Sequence, residues 1–418
     1  MLIETHQLAE GKRDGNNNLY YEIGSSDINR AYEDCPIRYL PFHDRLNILA
    51  QRIYQSYKGN GVIDEIRDMK IDGVSGGVSG IPSWESIWIF YKGRSIRLSF
   101  LSFQSEKELI RVCKNIYRFD NPGQLTEVKG YIVNEMRDGS RVAVARPPFS
   151  ESWLFFVRKF DRVLQDNIRN LLTDIGNEIP IEVMKWLVKG CQVTGITGEQ
   201  GSGKTTLLMA LIGFIPPSYN LRIQELSFEL HLRAIYPERN IVTFRETTDI
   251  TGQEGLDFQK KTDGTVNILG EVATAEVSAW LVEMAQVASL FTLFTHHAKT
   301  TDNLISYMRN ALLKKGGFRD EAAALEQVVE AISFDIHMRK AADGHRYIER
   351  ITEIGTYDLP DKMGENLPGK KFMTRDIVIF QNGKYERCNP VSIKARRNIE
   401  EHLTIQEREE FRNVMNQW

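Results

Sequence analysis

The sequence predicts an α/β protein: a larger C-terminal domain on a parallel sheet, preceded by a smaller α/β domain. Three observations carry this. After residue 190, short apolar segments ("CQVTGI", "LRIQELSF", "IVTFRE", "TVNILGEV", "SLFTLFTH") alternate with helical ones, the pattern of a sheet with helices on its faces. The first segment runs into the glycine-rich "GEQGSGKTT" and then the helix former "LLMALI". Ahead of these, the first 160 residues hold two hairpins and two helices.

The elements follow in order. Residues 1–40 are polar and irregular, an extension. Residues 41–160 form the smaller domain: a helix over "DRLNILAQRIYQSY", a hairpin over "SIWIFYKGRSIRLSF", and a helix over "SEKELIRVCKNIYRF" with Ser105 as its cap. A second hairpin, "GYIVNEMRDGSRVAVA", turns at Asp138–Gly139, where a positive φ is tolerated. Residues 161–190 read as a helical connector. Residues 191–390 are the loop-bearing domain, with a late hairpin turning on Asn382–Gly383. Residues 391–418 read as one charged helix, which either meets a partner or closes the domain.

Composition narrows the function. The chain has 418 residues, 42% hydrophobic and 26% charged, an ordinary globular balance with room for two or three domains. Its 53 Lys and Arg nearly balance 56 Asp and Glu, for a net charge of −3, so nothing draws the whole chain to nucleic acid or anionic lipid. Cys35, Cys113, Cys191 and Cys388 form no CxxC pair, which fits a reducing cytosol. The N-terminus lacks a signal-peptide core. The apolar run 277–294 includes Glu283 and Gln286 and reads as buried core, not a membrane span.

The chemistry begins at the loop. Gly198, Gly203, Lys204 and Thr205 fit G-x-x-x-x-G-K-S/T, between a strand and a helix as that motif requires. With Glu199, Gln200, Gly201, Ser202 and Thr206 they would wrap a nucleoside triphosphate in backbone N–H groups at a helix N-terminus. Lys204 would reach the β and γ phosphates, and the Thr205 hydroxyl would ligate Mg²⁺. "NILGEV" then places Glu271 at a strand end, where ligands bind in open α/β sheets. There Glu271 either serves Mg²⁺ and water or is a solvated strand-end residue. "FTHHAKT" brings His296 and His297 to the next strand end. Either is a γ-phosphate contact or a capping or core histidine, and the pair has no third ligand for a metal.

In this order the motifs resemble the secretion ATPases of type II secretion, type IV pili and type IV secretion, with the tight-adherence pilus assembly ATPases as the closest look. The resemblance covers roughly residues 41–385. "IQELSFEL" stands in the place of the family's acidic box, with Glu225 and Glu229; "ILGEV" brings Glu271, and "THHA" brings His297 as the box histidine. It implies a P-loop NTPase (RecA-like) domain, ATP and Mg²⁺, and a hexameric ring with each nucleotide between the two domains. It also implies an inner-membrane platform protein as partner and a cytoplasmic place at the inner face of the cell membrane. Glu225 would orient or deprotonate water, Glu271 would serve the Mg²⁺ side, and His297 would sense the γ-phosphate. Arg141 ("DGSR") and Arg158 ("VRKF") match arginines that clamp phosphates across a closing interface; otherwise they are surface charges.

The sequence departs from the family in three places. Leu226 replaces the acidic-box Asp, and "KKTDGTVN" replaces an arginine-rich run, with Lys261 and Val266 at two arginine positions. "FRETTDI", with Glu246 and Asp249, looks like a displaced acidic box, although spacing favours Glu225. Two rivals stand beside a pilus or secretion motor. One is a nucleic-acid motor, which the charge balance opposes; the other is a nucleotide-gated scaffold with little turnover.

Overall fold

The computed structural model describes residues 2–33, 39–120, 123–159, 168–226, 228–247, 250–287, 289–341, 343–356 and 372–418. The chain divides into two compact units, Met1–Arg162 and Val163–Trp418. Among the described residues, no helix is long and apolar enough to cross a membrane.

In the first unit, β1 (Lys12–Arg13) and β2 (Leu19–Tyr20) form a short antiparallel ladder. Seven strands make the main sheet: β3 (Glu22–Ile23), β4 (Gly73–Gly76), β5 (Ile87–Tyr91), β6 (Arg94–Leu98), β7 (Tyr131–Glu135), β8 (Arg141–Ala145) and β9 (Leu154–Arg158). Their order is β3-β6-β5-β4-β9-β8-β7. The helix Glu106–Ile116 is capped as expected, Ser105 accepting from the Glu108 N–H. It buries Leu109, Val112, Cys113 and Ile116 with Val74, Ile89, Val142 and Phe155 of the sheet. Residues read as an extension differ from that expectation. β3 pairs in parallel with β6, and its one apolar residue, Ile23, anchors this two-residue edge strand in the core.

The second unit carries β10 (Thr194–Gly198), β11 (Leu221–Glu225), β12 (Ile241–Arg245), β13 (Val266–Leu269), β14 (Phe291–His296), β15 (Phe334–Lys340), β16 (Arg346–Gly355), β17 (Met373–Gln381) and β18 (Lys384–Arg387). They form one sheet, β12-β11-β13-β14-β10-β15-β16-β17-β18. The stretch from β12 to β15 is parallel and β15 to β18 antiparallel. All five strands expected from the alternation are present. The Asn382–Gly383 hairpin extends the same sheet, both turn residues having positive φ. Within the run 277–294 the core residues include Trp280, Leu281, Phe291 and Leu293, each at most 1% exposed.

Two expected segments are organised differently. The connector begins within 160–167, which lie outside the described residues, but its helix Glu178–Lys189 supplies Val183, Met184, Trp186 and Leu187 to the second unit's core. The terminal helix is two helices, Ile393–Glu401 and Ile405–Met415. Thr404 starts the second with a capping box to Glu407. Phe411 packs on Trp186, ring centroids 5.7 Å apart, so these helices close the domain.

Candidate functional site

β10 lies inside the sheet between β14 and β15 and ends at Gly198. There φ is 137°, and a Cβ would stand 2.2 Å from the Met338 carbonyl oxygen on β15, so the position admits only glycine. Gly201 and Gly203 also take positive φ, 77° and 98°. Left-handed turns of this kind point successive N–H groups into one concavity, a cradle for anions. The helix Lys204–Ile212 starts at the cradle and adds the positive end of its dipole. Ser202 is fully buried, and its hydroxyl has no hydrogen-bond partner among the described residues. A buried polar group costs stability when unmatched, so the loop fits a polyphosphate that would supply the partner.

Lys204 is 6% exposed. Its Nζ donates to the carbonyl oxygens of Gly198 (2.9 Å) and Glu199 (2.8 Å) and lies 3.2 Å from His297 Nδ1. The other ring nitrogen of His297, Nε2, lies 3.1 Å from Glu271 Oε1. An ammonium only donates, so Nδ1 accepts, and the ring hydrogen sits on Nε2, directed at the carboxylate. Lysine, histidine and glutamate thus form one line along the C-terminal ends of β10, β14 and β13. Thr205 follows Lys204 at the helix start, the position from which a hydroxyl reaches a phosphate-bound Mg²⁺. With Glu271 it would complete a Mg²⁺ site.

His296, one residue earlier, belongs to the core. Its Nδ1 accepts from the Ala298 N–H at 2.9 Å, and its ring packs on Tyr307 at 4.7 Å. Burial, then the neighbouring His297 and Lys204, push its pKa down to about 4, and a neutral ring is what a packed interior accepts.

Glu225 is placed differently from an exposed base. It is 4% exposed, and its Oε2 accepts from the N–H groups of Glu229 (2.8 Å) and Leu230 (2.9 Å). This carboxylate holds the turn after β11, and Glu229 takes part through its backbone. β11 is three strands from β10, about 14 Å at the usual spacing; Glu271 follows β13, one strand nearer. Glu246 follows edge strand β12, farther still, and Asp249 lies outside the described residues. Lys261 precedes β13 and Val266 begins it, at the sheet edge opposite the loop, so neither faces the phosphate cradle of its own unit. Arg141 and Arg158 lie in the first unit, as direct register partners on β8 and β9. They share a sheet face with the exposed Phe156, because Val142 and Val157 point into the core.

Sequence reasoning missed two features. Arg346, at the start of β16, donates from Nε to the Gly201 carbonyl at 2.9 Å, bracing the loop from the side away from His297. Beneath the loop, Asp335 of β15 is wholly buried. It accepts from Thr197 Oγ1 and Thr301 Oγ1, both at 2.6 Å. Thr197 also lies 2.8 Å from His337 Nδ1. Burial raises the Asp335 pKa, and burial followed by Arg350 lowers that of His337 to about 4. Asp335 therefore ties the strand before Gly198 to the helix that follows His297.

A sheet with a parallel core, a glycine cradle at its C-terminal edge and a helix starting on the loop lysine define the class: a P-loop nucleotide-binding domain behind a smaller α/β unit. No family model matches the chain, and no curated protein matches it. Similar solved structures include the VirB11 ATPase from the Brucella suis type IV secretion system in complex with sulphate (TM-score 0.37, 19% identity, 72% of this chain and 96% of that one). The Legionella pneumophila ATPase DotB is similar at TM-score 0.47 and 17% identity, over 76% of this chain and 81% of that one. The pilus retraction motor PilT with bound ADP is similar at TM-score 0.49 and 14% identity, over 91% and 92%. The closer look to tight-adherence ATPases rests on the motifs alone.

Proposed function

We propose that the chain is a Mg²⁺-dependent ATPase that works as a ring-forming motor of a pilus assembly or secretion system. The observation that carries this reading is the line Lys204–His297–Glu271 beside a loop shaped for phosphates. The N–H groups from Gly198 to Thr206 and the Lys204 ammonium would hold the phosphates. Thr205 and Glu271 would hold Mg²⁺, which when bound neutralises charge on the β and γ phosphates. His297, already hydrogen-bonded between lysine and carboxylate, would exchange Lys204 for a γ-phosphate oxygen only on taking up a proton at Nδ1, since that nitrogen accepts from the lysine and a phosphate oxygen offers no hydrogen. Glu271 would orient water from its strand end. Glu225 would act beside it only by releasing the turn at Glu229 and Leu230.

Arg141 and Arg158 would serve the phosphates of a site closed by the first unit. Their sheet face also exposes Tyr131 (54%), Val133 (50%) and Phe156 (43%), and an exposed apolar face marks an interaction surface. This supports a homo-oligomeric ring, hexameric by the motif resemblance, acting at the inner face of the cell membrane on a platform protein. The test is Mg²⁺-ATP hydrolysis across protein concentration, with Glu271→Gln as blank. Turnover per chain that rises with concentration and vanishes in the variant supports the motor. Tight ATP binding without turnover sinks it for the isolated chain. A second reading, a nucleotide-gated scaffold, then leads; the engagement of Glu225 with its own backbone favours it.

A further inference from the structure

The first unit carries a helix whose apolar side is turned outward. In the helix Phe42–Tyr57, 16 residues long, every residue but Gln55 is exposed. At 3.6 residues per turn, Phe42, Leu46, Leu49, Ile53 and Tyr57 fall within an arc of about 80°, and each is more than half exposed. Gln55 stands about 160° from the middle of that arc and faces the unit. Its Nε2 donates to Glu65 Oε1 at 3.1 Å, and its carbonyl accepts from Arg111 Nη2 at 2.8 Å. Arg111 Nη1 also donates to the Gly59 carbonyl at 2.7 Å, just past the helix. The last turn is thus fastened to the helix Glu106–Ile116, and the apolar stripe lies on the side away from this attachment. A surface helix ordinarily buries its stripe against the core; this one needs cover from outside.

We propose that the helix Phe42–Tyr57 lies on an anionic lipid surface, with its stripe sunk at the boundary of headgroups and acyl chains. Charge selects this occupant. Arg45 and Arg52 are exposed and flank one edge of the stripe, about 80° and 100° from its middle. From there a long basic side chain leaves its stem with the lipid and its head among the phosphates. Asp44, the one acid of the helix, lies about 180° from the stripe. Tyr39, just before the helix, and Tyr57, its last residue, are exposed at the two ends, where such rings sit at headgroup level. An apolar stripe with basic flanks is the pattern of a helix lying in the membrane plane. The net charge of −3 does not oppose this, because screening confines the attraction to charges within about 10 Å. A second copy of the chain fits less well. The stripe spans about two heptads, short of the three or four that a coiled coil sustains, and an antiparallel copy would bring Arg45 toward Arg52 of its mate. The inference deepens the placement at the membrane face proposed above by giving the chain a lipid contact of its own. It rests on the first unit alone, whatever the loop binds.

The experiment sediments the intact chain, without nucleotide, with vesicles of phosphatidylcholine alone or mixed equally with phosphatidylglycerol. Wild type should bind the mixed vesicles at least about tenfold tighter than the neutral ones, the scale of two basic residues near an anionic surface, and should leave them as salt rises. Arg52→Gln should lose about fivefold on the mixed vesicles, the scale of one. Leu49→Gln combined with Ile53→Gln should lose at least about tenfold, with the unfolding midpoint unchanged because both residues are exposed. If that midpoint falls, Arg52→Gln and the lipid dependence decide alone. Val128→Gln, which alters a fully exposed apolar residue outside the helix, should bind as wild type does. Binding to neither vesicle, equal binding to both, or equal loss from Val128→Gln would overturn the proposal. Self-association that the double variant abolishes, without vesicle binding, would overturn it and give the face to a second copy. Each outcome is read without hydrolysis, so the ATPase reading stands or falls separately.

Discussion

Lys204 and His297 stand 3.2 Å apart, Nζ to Nδ1, so the loop lysine and the strand-end histidine are direct partners. Two backbone carbonyls, of Gly198 and Glu199, also accept from the lysine. Each of these bonds is one that phosphate oxygens would replace, and charge-assisted bonds to phosphate are the stronger kind.

His297→Ala is therefore expected to spare binding and harm turnover. ATP affinity should change by less than about threefold, while kcat falls by about 10²-fold, the scale of a lost polar contact in a transition state. Equilibrium titration beside steady-state hydrolysis checks both numbers. A parallel loss in affinity and kcat would place His297 in ground-state binding instead.

The Asp335 tie makes a stability prediction. Thr197→Val keeps shape but removes the hydroxyl that Asp335 and His337 share. Leaving a buried acceptor unmatched costs about 1–3 kcal/mol. Thr301→Val should cost a similar amount, and the double variant less than the sum, because both act on one carboxylate. Urea unfolding of the intact chain reads all three.

Stability should also depend on pH through the buried histidines. His296 and His337 titrate near 4 when folded and near 6.5 when unfolded. The unfolded chain binds the extra protons between those values, so this contribution is fully present above pH 6.5 and declines as pH falls toward 4. Asp335, with its raised pKa, acts in the opposite sense as pH rises above 3.8. A comparison of His296→Gln with wild type isolates one histidine. The stability difference between pH 7 and pH 4.5 should shrink by about 2.5 kcal/mol. An unchanged difference would mean that His296 is not buried neutral.

The closing helices give a fourth prediction. Phe411→Ala opens a cavity against Trp186 and should cost about 3–5 kcal/mol. The hydrogen bond from Lys189, then the Thr404 N–H, holds Glu407 at about 2. Its contribution is present above the unfolded value near 4.5 and is lost as pH falls through 2. Glu407→Gln should therefore lower the unfolding midpoint at pH 7 but not at pH 2. A chain as stable without Phe411 as with it would return these helices to the role of a partner-binding appendage.

The legible features were those written in local chemistry. The loop, the Ser105 cap and the turns at Asp138–Gly139 and Asn382–Gly383 each need particular residue types at fixed offsets. Glu271 and His297 could be read because a strand end next to a loop strand is already a location. β4, "GVSG", gave no signal, since small residues serve there to let β9 approach: a Cβ on Gly73 would lie 2.5 Å from the Val157 carbonyl oxygen. In β15, Asp335 and His337 alternate with apolar residues, a pattern that does not by itself mark a buried polar tie. Both faces are buried, Phe334 to Met338 all lying in the interior of the second unit. The break before Thr404 was legible in principle, as Thr-x-x-Glu is a helix start, but the charged run around it masked the signal. Glu225 shows the opposite limit, where position matched a motif and only the turn's N–H groups revealed what holds the side chain.

Gly198 is shaped against Met338, and Thr197 bonds to residues of the same strand as many as 140 positions away. Long-range pairing of this kind forms late. On the ribosome, the phosphate cradle therefore stays incomplete until β15 has emerged, although the motif itself has long since been synthesised. Nascent chains stalled before residue 334 should fail to retain immobilised ATP, and chains stalled well after residue 387 should retain it. The fuel cannot be engaged by a half-made protein.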